Sequence, residues 1–389
     1  MPQTADDATA PRPAPAVRAT SLRLADFRNY DSVAIGFERA FVAFFGENGA
    51  GKTNLIEALS LLSPGRGLRR ATYGDMIRQG GSGGFHLRAA ISSVGNPTEI
   101  VTQVRPDPGG ILSRTVKIDE TPARTGDELL EIARVLWLTP AMDGLFTGPA
   151  GDRRRFLDRM VLAVDPGHGR RAADFERAMR SRNKLLSDNR LDDSWLSGLE
   201  AQMAELGVAM ALARADFIRM MAEMIARGAA DSPFPAARLA LSSGYDDLDL
   251  SGPALDVEDA VRGRLRAARY VDRSAGRTRE GAHRADLQVI HAAKEMPAAL
   301  ASTGEQKALL IGLVLAHARL TAAVSGLSPI LLLDEIAAHL DPGRRAALFD
   351  LVETLGVQTF MTGTDASLFD ALGDRAQMLR VSAGRVEPA

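Results

Sequence analysis

The stretch Gly46-Glu47-Asn48-Gly49-Ala50-Gly51-Lys52-Thr53 carries the most specific chemistry in the chain. It fits G-x-x-x-x-G-K-[ST], in which successive backbone N–H groups and the unpaired N–H groups of a following helix converge on phosphate. Gly46, Asn48, Gly49, Gly51 and Asn54 belong to that cradle, Lys52 brings a point charge to the outer phosphates, and Thr53 offers a hydroxyl to Mg2+. A second signal, Asp334-Glu335, ends the apolar run Ile330-Leu331-Leu332-Leu333. At the carboxyl end of a strand, Asp334 can hold the metal beside Thr53, and Glu335 can polarise an attacking water. Ser302-Thr303-Gly304-Glu305 opens an apolar helix and has two readings. Ser302 and Gly304 present a hydroxyl and free N–H groups to an anion, or Ser302 and Glu305 form a capping box. Asp341-Pro342, after His339-Leu340, is a helix start with Asp341 as N-cap.

These residues act together only if a strand enters the glycine turn and a helix leaves it. The apolar run 40–45 supplies the strand, and 54–62 the helix. The alternating runs 22–30 and 32–37 predict two adjacent strands before the phosphate-loop strand, and 85–91, 99–104 and 111–118 predict an antiparallel sheet beside the nucleotide core. From residue 127 the pattern turns helical, with helices expected at 127–136, 152–164, 172–186, 192 to about 227, and 257–271. Leu199, Met203, Leu206, Met210, Ala213, Phe217, Met220 and Met224 form a stripe with near-heptad spacing. The stripe fits a short antiparallel coiled coil or packing within a helical lobe. Residues 239–241 and Leu248 read as a return to strand. From about 287, a helix, strands at 330–333 and 358–361, a helix at 342–355 and a final helix and strand restore α/β character. The fold expected is α/β, with a nucleotide core built from 20–125 and 281–389 and an inserted, mostly helical lobe at 126–280. Residues 1–19, rich in Ala, Pro and Asp, are expected to be a disordered leader.

A formal net charge of -2 over 389 residues excludes a uniformly basic protein but not a local basic face. The absence of cysteine excludes disulfides, thiolate chemistry and cysteine-ligated zinc, and the six histidines show no H-E-x-x-H spacing. The apolar stretch 308–333 is broken by His317, Arg319 and Gly326-Leu327-Ser328-Pro329, and the leader has no apolar h-region. A cytoplasmic protein without a membrane partner is therefore expected. Arg66, Arg69 and Arg70 cluster after the phosphate-loop helix, and Arg153, Arg154 and Arg155 cluster with Arg159, Arg170 and Arg171. Both clusters can neutralise DNA phosphates. Interleaved with Asp152, Asp158, Asp165 and Asp174, the second equally fits ion-paired helix faces.

The motif order resembles the ATP-binding-cassette ATPases and, more closely, RecF, a family of bacterial recombination mediators related to SMC-type ATPases. The resemblance rests on Phe27-Arg28-Asn29-Tyr30, the phosphate loop with Arg66 and Arg69, and Arg153-Arg154-Arg155-Phe156-Leu157-Asp158. Arg182-Asn183-Lys184-Leu185-Leu186, Gly281-Ala282-His283-Arg284-Ala285-Asp286-Leu287 and Ser302 through Lys307 extend it. Ala282 departs from an expected proline, Ala141 from an acidic residue, and no histidine follows Phe360; Thr362 or Thr364 stands in its place.

This resemblance implies an ABC-type P-loop ATPase head that binds ATP and Mg2+. It implies a homodimer in which Ser302 in the signature turn of one copy completes the site of the other, with Gly304 and Asp341 among the nucleotide-binding residues and Lys52, Glu335 and Ser302 as catalytic residues. It further implies slow, switch-like hydrolysis and binding to double-stranded DNA or to single/double-strand junctions at gaps. RecR and RecO are the implied partners, in a nucleoid-associated role in DNA replication, repair, recombination and the SOS response. Two alternatives remain open on the sequence: the ATPase subunit of a membrane transporter, and a nucleotide-gated scaffold without enzymatic activity.

Overall fold

The computed structural model describes residues 16–93, 97–188, 192–228, 232–245, 248–337 and 340–389. Strands β1 (Arg18–Phe27) and β2 (Tyr30–Gly36) form a hairpin. β3 (Phe41–Phe45) then leads through the glycine turn into α1 (Lys52–Ser60). After the short α2 (Tyr73–Met76) come β4 (Phe85–Ser92), β5 (Thr98–Pro106), β6 (Leu112–Ile118) and β7 (Thr121–Pro122). They complete an antiparallel sheet in the order β2-β1-β4-β5-β6-β7.

The central sheet draws on both ends of the chain. It combines β3 with β8 (Val135–Leu138), β12 (Ile330–Leu333), β13 (Thr359–Gly363), β14 (Ala376–Ser382) and β15 (Arg385–Pro388), in the order β15-β14-β3-β13-β12-β8. All pairings are parallel except that of β15 with β14. Both faces are covered at β3, β8 and β12, so these strands read as unbroken apolar runs rather than alternating ones. Val42, Phe44, Ile330 and Leu332 point to the core shared with α1 and the antiparallel sheet. Phe41, Ala43, Leu331 and Leu333 point to a core shared with the helices.

Those helices are α4 (Ala150–Val164), α5 (His168–Ser187), α6 (Asp193–Gly228), α7 (Ala254–Ala267), α8 (Arg269–Ala275), α9 (Thr303–Ser325) and α10 (Pro342–Thr354). α9 is long and apolar enough to cross a membrane, with a mean hydropathy of 1.7, yet 67% of that window is buried as the core helix of the head. α6 packs on α5, α7 and α9. Met203, Met210 and Phe217 of its expected stripe are buried, whereas Leu199, Leu206, Ala213, Met220 and Met224 are half-buried. The stripe therefore serves lobe packing rather than a projecting coiled coil.

Three expectations need correction. β1 begins at Arg18 and Ala16 bridges to Ser328, so 16–19 belong to the fold, while 1–15 lie outside the described residues. Within 127–136 the helix stops early, a 3-10 turn (Gly126–Glu128) leading into α3 (Leu129–Ile132), and Val135-Leu136-Trp137-Leu138 is an edge strand of the central sheet. A four-residue apolar run cannot be assigned from periodicity alone, and here pairing with β12 decides. The return to strand expected at 239–241 is β9 (Ala237–Ser242), which pairs with β10 (Asp286–His291), itself beside β11 (Met296–Pro297), but Leu248 lies in no strand. A strand of the lobe and two of the C-terminal segment thus share a sheet.

Buried polar groups fix the lobe. The fully buried Arg182 donates to Asp272 at 2.7 Å, Glu200 at 3.1 Å, Thr278 at 2.9 Å and the Leu265 carbonyl at 2.6 Å. Arg182→Met leaves two buried carboxylates short of a partner, and is expected to cost about 3–5 kcal/mol. Urea denaturation checks this; a loss below about 1 kcal/mol would contradict the structural role.

Candidate nucleotide site and its neighbours

Gly46 and Gly51 are required by backbone geometry. Gly46 has φ +148° and a Cβ there would meet the Val381 carbonyl at 2.2 Å; Gly51 has φ +114° and would meet Asn29 at 2.5 Å. What crowds Gly51 is a brace that the sequence does not announce. The Asn29 amide donates to the Ala50 carbonyl at 3.1 Å, and the Tyr30 hydroxyl donates to the Gly51 carbonyl at 3.1 Å. Asn54 donates to Asn29 at 2.8 Å and accepts from Arg69 at 2.9 Å. Beneath them, the fully buried Glu57 of α1 accepts from Arg28 at 2.8 and 2.7 Å. The Arg28-Asn29-Tyr30 turn thereby clamps the loop from below. In the sequence these residues stand out through the resemblance, as Phe27-Arg28-Asn29-Tyr30, with no contact assigned to them.

Within the loop, the Lys52 ammonium donates to the carbonyls of Gly46 at 2.6 Å and Glu47 at 2.8 Å. Burial pulls Lys52 below its ordinary range, against the opposing charges of Glu335 and Asp334. The Thr53 hydroxyl donates to Asp334 at 3.0 Å, bringing the glycine turn and the acidic pair together as expected. Thr362 donates to the same Asp334 oxygen at 2.8 Å, and its own oxygen accepts from the Glu335 N–H at 2.8 Å. Thr362 is thereby bonded to both members of the acidic pair, and Thr364 is exposed. Glu335 sits at φ +54°, a left-handed conformation costing about 1–2 kcal/mol for a non-glycine residue. Among the described residues, no hydrogen bond occupies its carboxylate, leaving it available to a water.

The donor set fits Mg2+ with a nucleotide. Thr53 and Asp334 are adjacent hard oxygen donors, and no cluster of three His, Cys, Asp or Glu exists among the described residues to form an all-protein cage. Such a pair leaves most of the coordination shell to phosphate and water, as Mg2+ prefers.

The other expected residues stand apart. Ser302 is the N-cap of α9, its hydroxyl donating to Glu305 at 2.9 Å and accepting from the Glu305 N–H at 3.4 Å. Hydrogen bonds from Lys294 and Ser302 hold the Glu305 carboxyl down at about 2. Gly304 is exposed, with open space where a Cβ would be. Asp341 caps α10 through the Arg344 N–H at 2.9 Å. The capping reading of both turns thus holds, and their outer faces remain exposed.

The two arginine clusters differ. Arg66, Arg69 and Arg70 are exposed, although Arg69 also reaches Glu57 at 3.4 Å and Arg66 lies over Tyr73. Arg153 pairs with Asp286 through two bonds of 2.8 Å, Arg154 donates to the Ala285 carbonyl at 2.9 Å, and Arg155 pairs with Asp152. Arg159 lies over the Trp137 ring at 4.3 Å, its guanidinium pulled down to about 9 by burial and by Arg70. Arg153 and Arg154 therefore join α4 to the strand β10 region, where the sequence had offered them as DNA contacts.

A parallel sheet with a phosphate loop on β3, an acidic pair ending β12 and an inserted helical lobe defines an SMC-like P-loop ATPase head. The sequence profile of the RecF/RecN/SMC N terminal domain matches residues 19–386. The chain is 58% identical over 370 residues to the DNA replication and repair protein RecF of Rhizobium etli, covering 95% of this chain and 98% of that one. It is 57% identical over 371 residues to the same-named protein of Mesorhizobium japonicum, covering 95% and 97%. The chain belongs to the RecF family. Among solved structures, the recombination mediator protein RecF-ATPrS in the RecFOR pathway superposes with a TM-score of 0.84 at 18% identity, covering 97% of this chain and 99% of that one. An Smc head domain from Pyrococcus furiosus, bound to the C-terminal domain of ScpA, matches at 0.53 and 17% identity, covering 96% of each chain. These two likenesses concern the fold alone.

Burial pushes the Asp334 carboxyl above its ordinary range, despite the hydrogen bonds from Thr362 and Thr53. A carboxyl raised by folding weakens the folded state above its unfolded pKa, and the penalty fades as pH falls through the raised value. Ligand-free Asp334→Asn is accordingly expected to melt above the parent at pH 7, with the gap closing toward about pH 4. Thermal melts across pH check this, and an equal or lower Tm at pH 7 would contradict the burial account.

Proposed function

We propose that this protein is an ATP-gated DNA-repair switch, in which each nucleotide is held between two copies of the chain. The observation that carries the proposal is a half-site. Gly46, Asn48, Gly49, Gly51, Lys52, Thr53 and Asn54 gather with Asp334 and Glu335 in one place. Ser302 and Gly304 are exposed at the start of α9, and among the described residues the Ser302 hydroxyl bonds only within its own turn, to Glu305. A second copy facing the first would bring that turn to the phosphates, with Asp341 at the same border.

In this reading Lys52 exchanges the Gly46 and Glu47 carbonyls for phosphate oxygens, and Thr53 and Asp334 are the residues that would hold Mg2+. When bound, Mg2+ neutralises charge on the phosphates. Glu335 orients the attacking water and takes its proton, and Ser302 of the opposing copy stabilises the terminal phosphate. Turnover is slow because hydrolysis ends the dimer. Membership of the RecF family supports DNA replication and repair as the setting, a cytoplasmic and nucleoid-associated location, and gapped or junctional DNA as the substrate. RecR and RecO are the proposed partners, and the exposed Arg66, Arg69 and Arg70, with Arg155, are the proposed phosphate contacts. Family membership also sets aside the transporter-subunit alternative.

Ser302→Arg is expected to abolish ATP-dependent self-association while leaving nucleotide binding within about twofold of the parent. Glu335→Gln is expected to prolong the ATP-bound dimer at least tenfold, on the order of the effect of losing a general base. Light scattering and labelled-nucleotide binding check both. Unchanged association in Ser302→Arg would overturn the shared site, and an unchanged dimer lifetime in Glu335→Gln would favour a non-enzymatic scaffold.

A further inference from the structure

Three of the internal motifs meet at a cavity outside the nucleotide site. Arg154 and Asp158 come from the first, Asn183 from the second, and His283 and Arg284 from the third; all line one space among α4, α5, α6 and the 277–284 segment. Its volume is about 400 Å³, within the ~300–1,000 Å³ of small-molecule sites. Part of the lining is apolar, from Phe175, Met179 and Met210, and part is cationic, from Arg154, Arg214, Arg277 and Arg284.

The cationic part is under-compensated. Asp158 and Glu176 are the two carboxylates among its lining residues, against four guanidinium groups. Asp158 is already engaged, accepting from Arg214 at 2.8 and 3.0 Å and bonding His168 at 2.8 Å. Arg277 and Arg284 are exposed, and their guanidiniums have no hydrogen-bond or ion-pair partner among the described residues. Arg154 is held below the ordinary arginine range by burial and by the like charges of Arg214 and Arg284. The buried Nδ1 of His283 also lacks a partner, while its Nε2 is bonded to the Thr278 carbonyl at 3.1 Å. Ion pairs internal to the lobe would have been arranged to cancel; here two exposed cations and a polar ring border a cavity with an aromatic side.

We propose that this cavity binds a mononucleotide unit, with its phosphate on Arg277 and Arg284 and its base on the side of Phe175 and Met179. A terminal phosphate carries about −1.5 to −2 charge near neutral pH, which matches the excess of guanidinium over carboxylate. Guanidinium groups recognise its oxygens through paired N–H donors. The same unit is presented by a free nucleoside monophosphate or by the phosphorylated end of a DNA strand. The site is separate from the phosphate loop and does not depend on ATP-driven association.

The test uses the full chain, with dAMP as probe in titration calorimetry. Wild type and Lys52→Ala are expected to bind dAMP with the same Kd. Arg277→Glu combined with Arg284→Glu is expected to weaken that binding at least tenfold in either background, with the Tm and ATP binding unchanged; both side chains are exposed. In a second arm, fluorescence anisotropy compares oligonucleotides with a 5′-phosphate and a 5′-hydroxyl. A preference for the phosphorylated end that the double variant removes identifies a strand end as the source. No such preference, with dAMP bound, identifies the free nucleotide. Absence of dAMP binding, loss of it in Lys52→Ala alone, or binding that the double charge reversal leaves unchanged would overturn the proposal.

Discussion

The hydrogen bond between Thr53 and Asp334 joins residues 281 positions apart, and the rest of the architecture exists to make it possible. β3 lies between β13 and β14, so the strand that feeds the glycine turn is enclosed by strands from the far end of the chain. Asp334 ends β12, one strand further along the same sheet. Everything between them must leave the sheet and return in register. The antiparallel sheet and the helical lobe are two excursions that do so, each burying its own apolar face against the centre.

Holding the acidic pair there opposes stability. Asp334 is buried next to another carboxylate, and Glu335 is held in a left-handed backbone conformation. Thr362 offsets both, giving its proton to Asp334 and its lone pair to the Glu335 N–H. The turn at Arg28-Asn29-Tyr30 performs the equivalent task beneath the phosphate loop, so that a carbonyl-rich loop and a buried Glu57 are satisfied before any ligand arrives. Such preorganisation is what a nucleotide site needs if binding energy is to drive association rather than local folding.

Much of this was legible in the residues. The glycine turn, β12 with its two acids, the Ser302 cap and the antiparallel sheet follow from local spacing, because each is specified by neighbours within a few positions. β8 and β10 were not legible. Val135-Leu136-Trp137-Leu138 and Asp286-Leu287-Gln288-Val289-Ile290-His291 are short runs beside helices, and only pairing with β12 and β9 makes them strands. The charges of 153–155 were equally ambiguous, since an arginine row on a helix looks alike whether it faces DNA or, as Arg153 does, an aspartate 133 residues away. Asn29 and Tyr30 belong to a recognisable motif, but their bracing role lies in which carbonyls they reach, and spacing does not encode that.

The central claim is that one chain carries half of a nucleotide site and a second chain completes it. Its most direct test is the molar mass of the wild-type protein by light scattering, without nucleotide, with ADP and Mg2+, and with ATP and Mg2+. The account expects the 41.6 kDa of one chain in the first two conditions and a doubling in the third. A mass that stays at one chain with ATP bound, or a dimer indifferent to nucleotide, would contradict it.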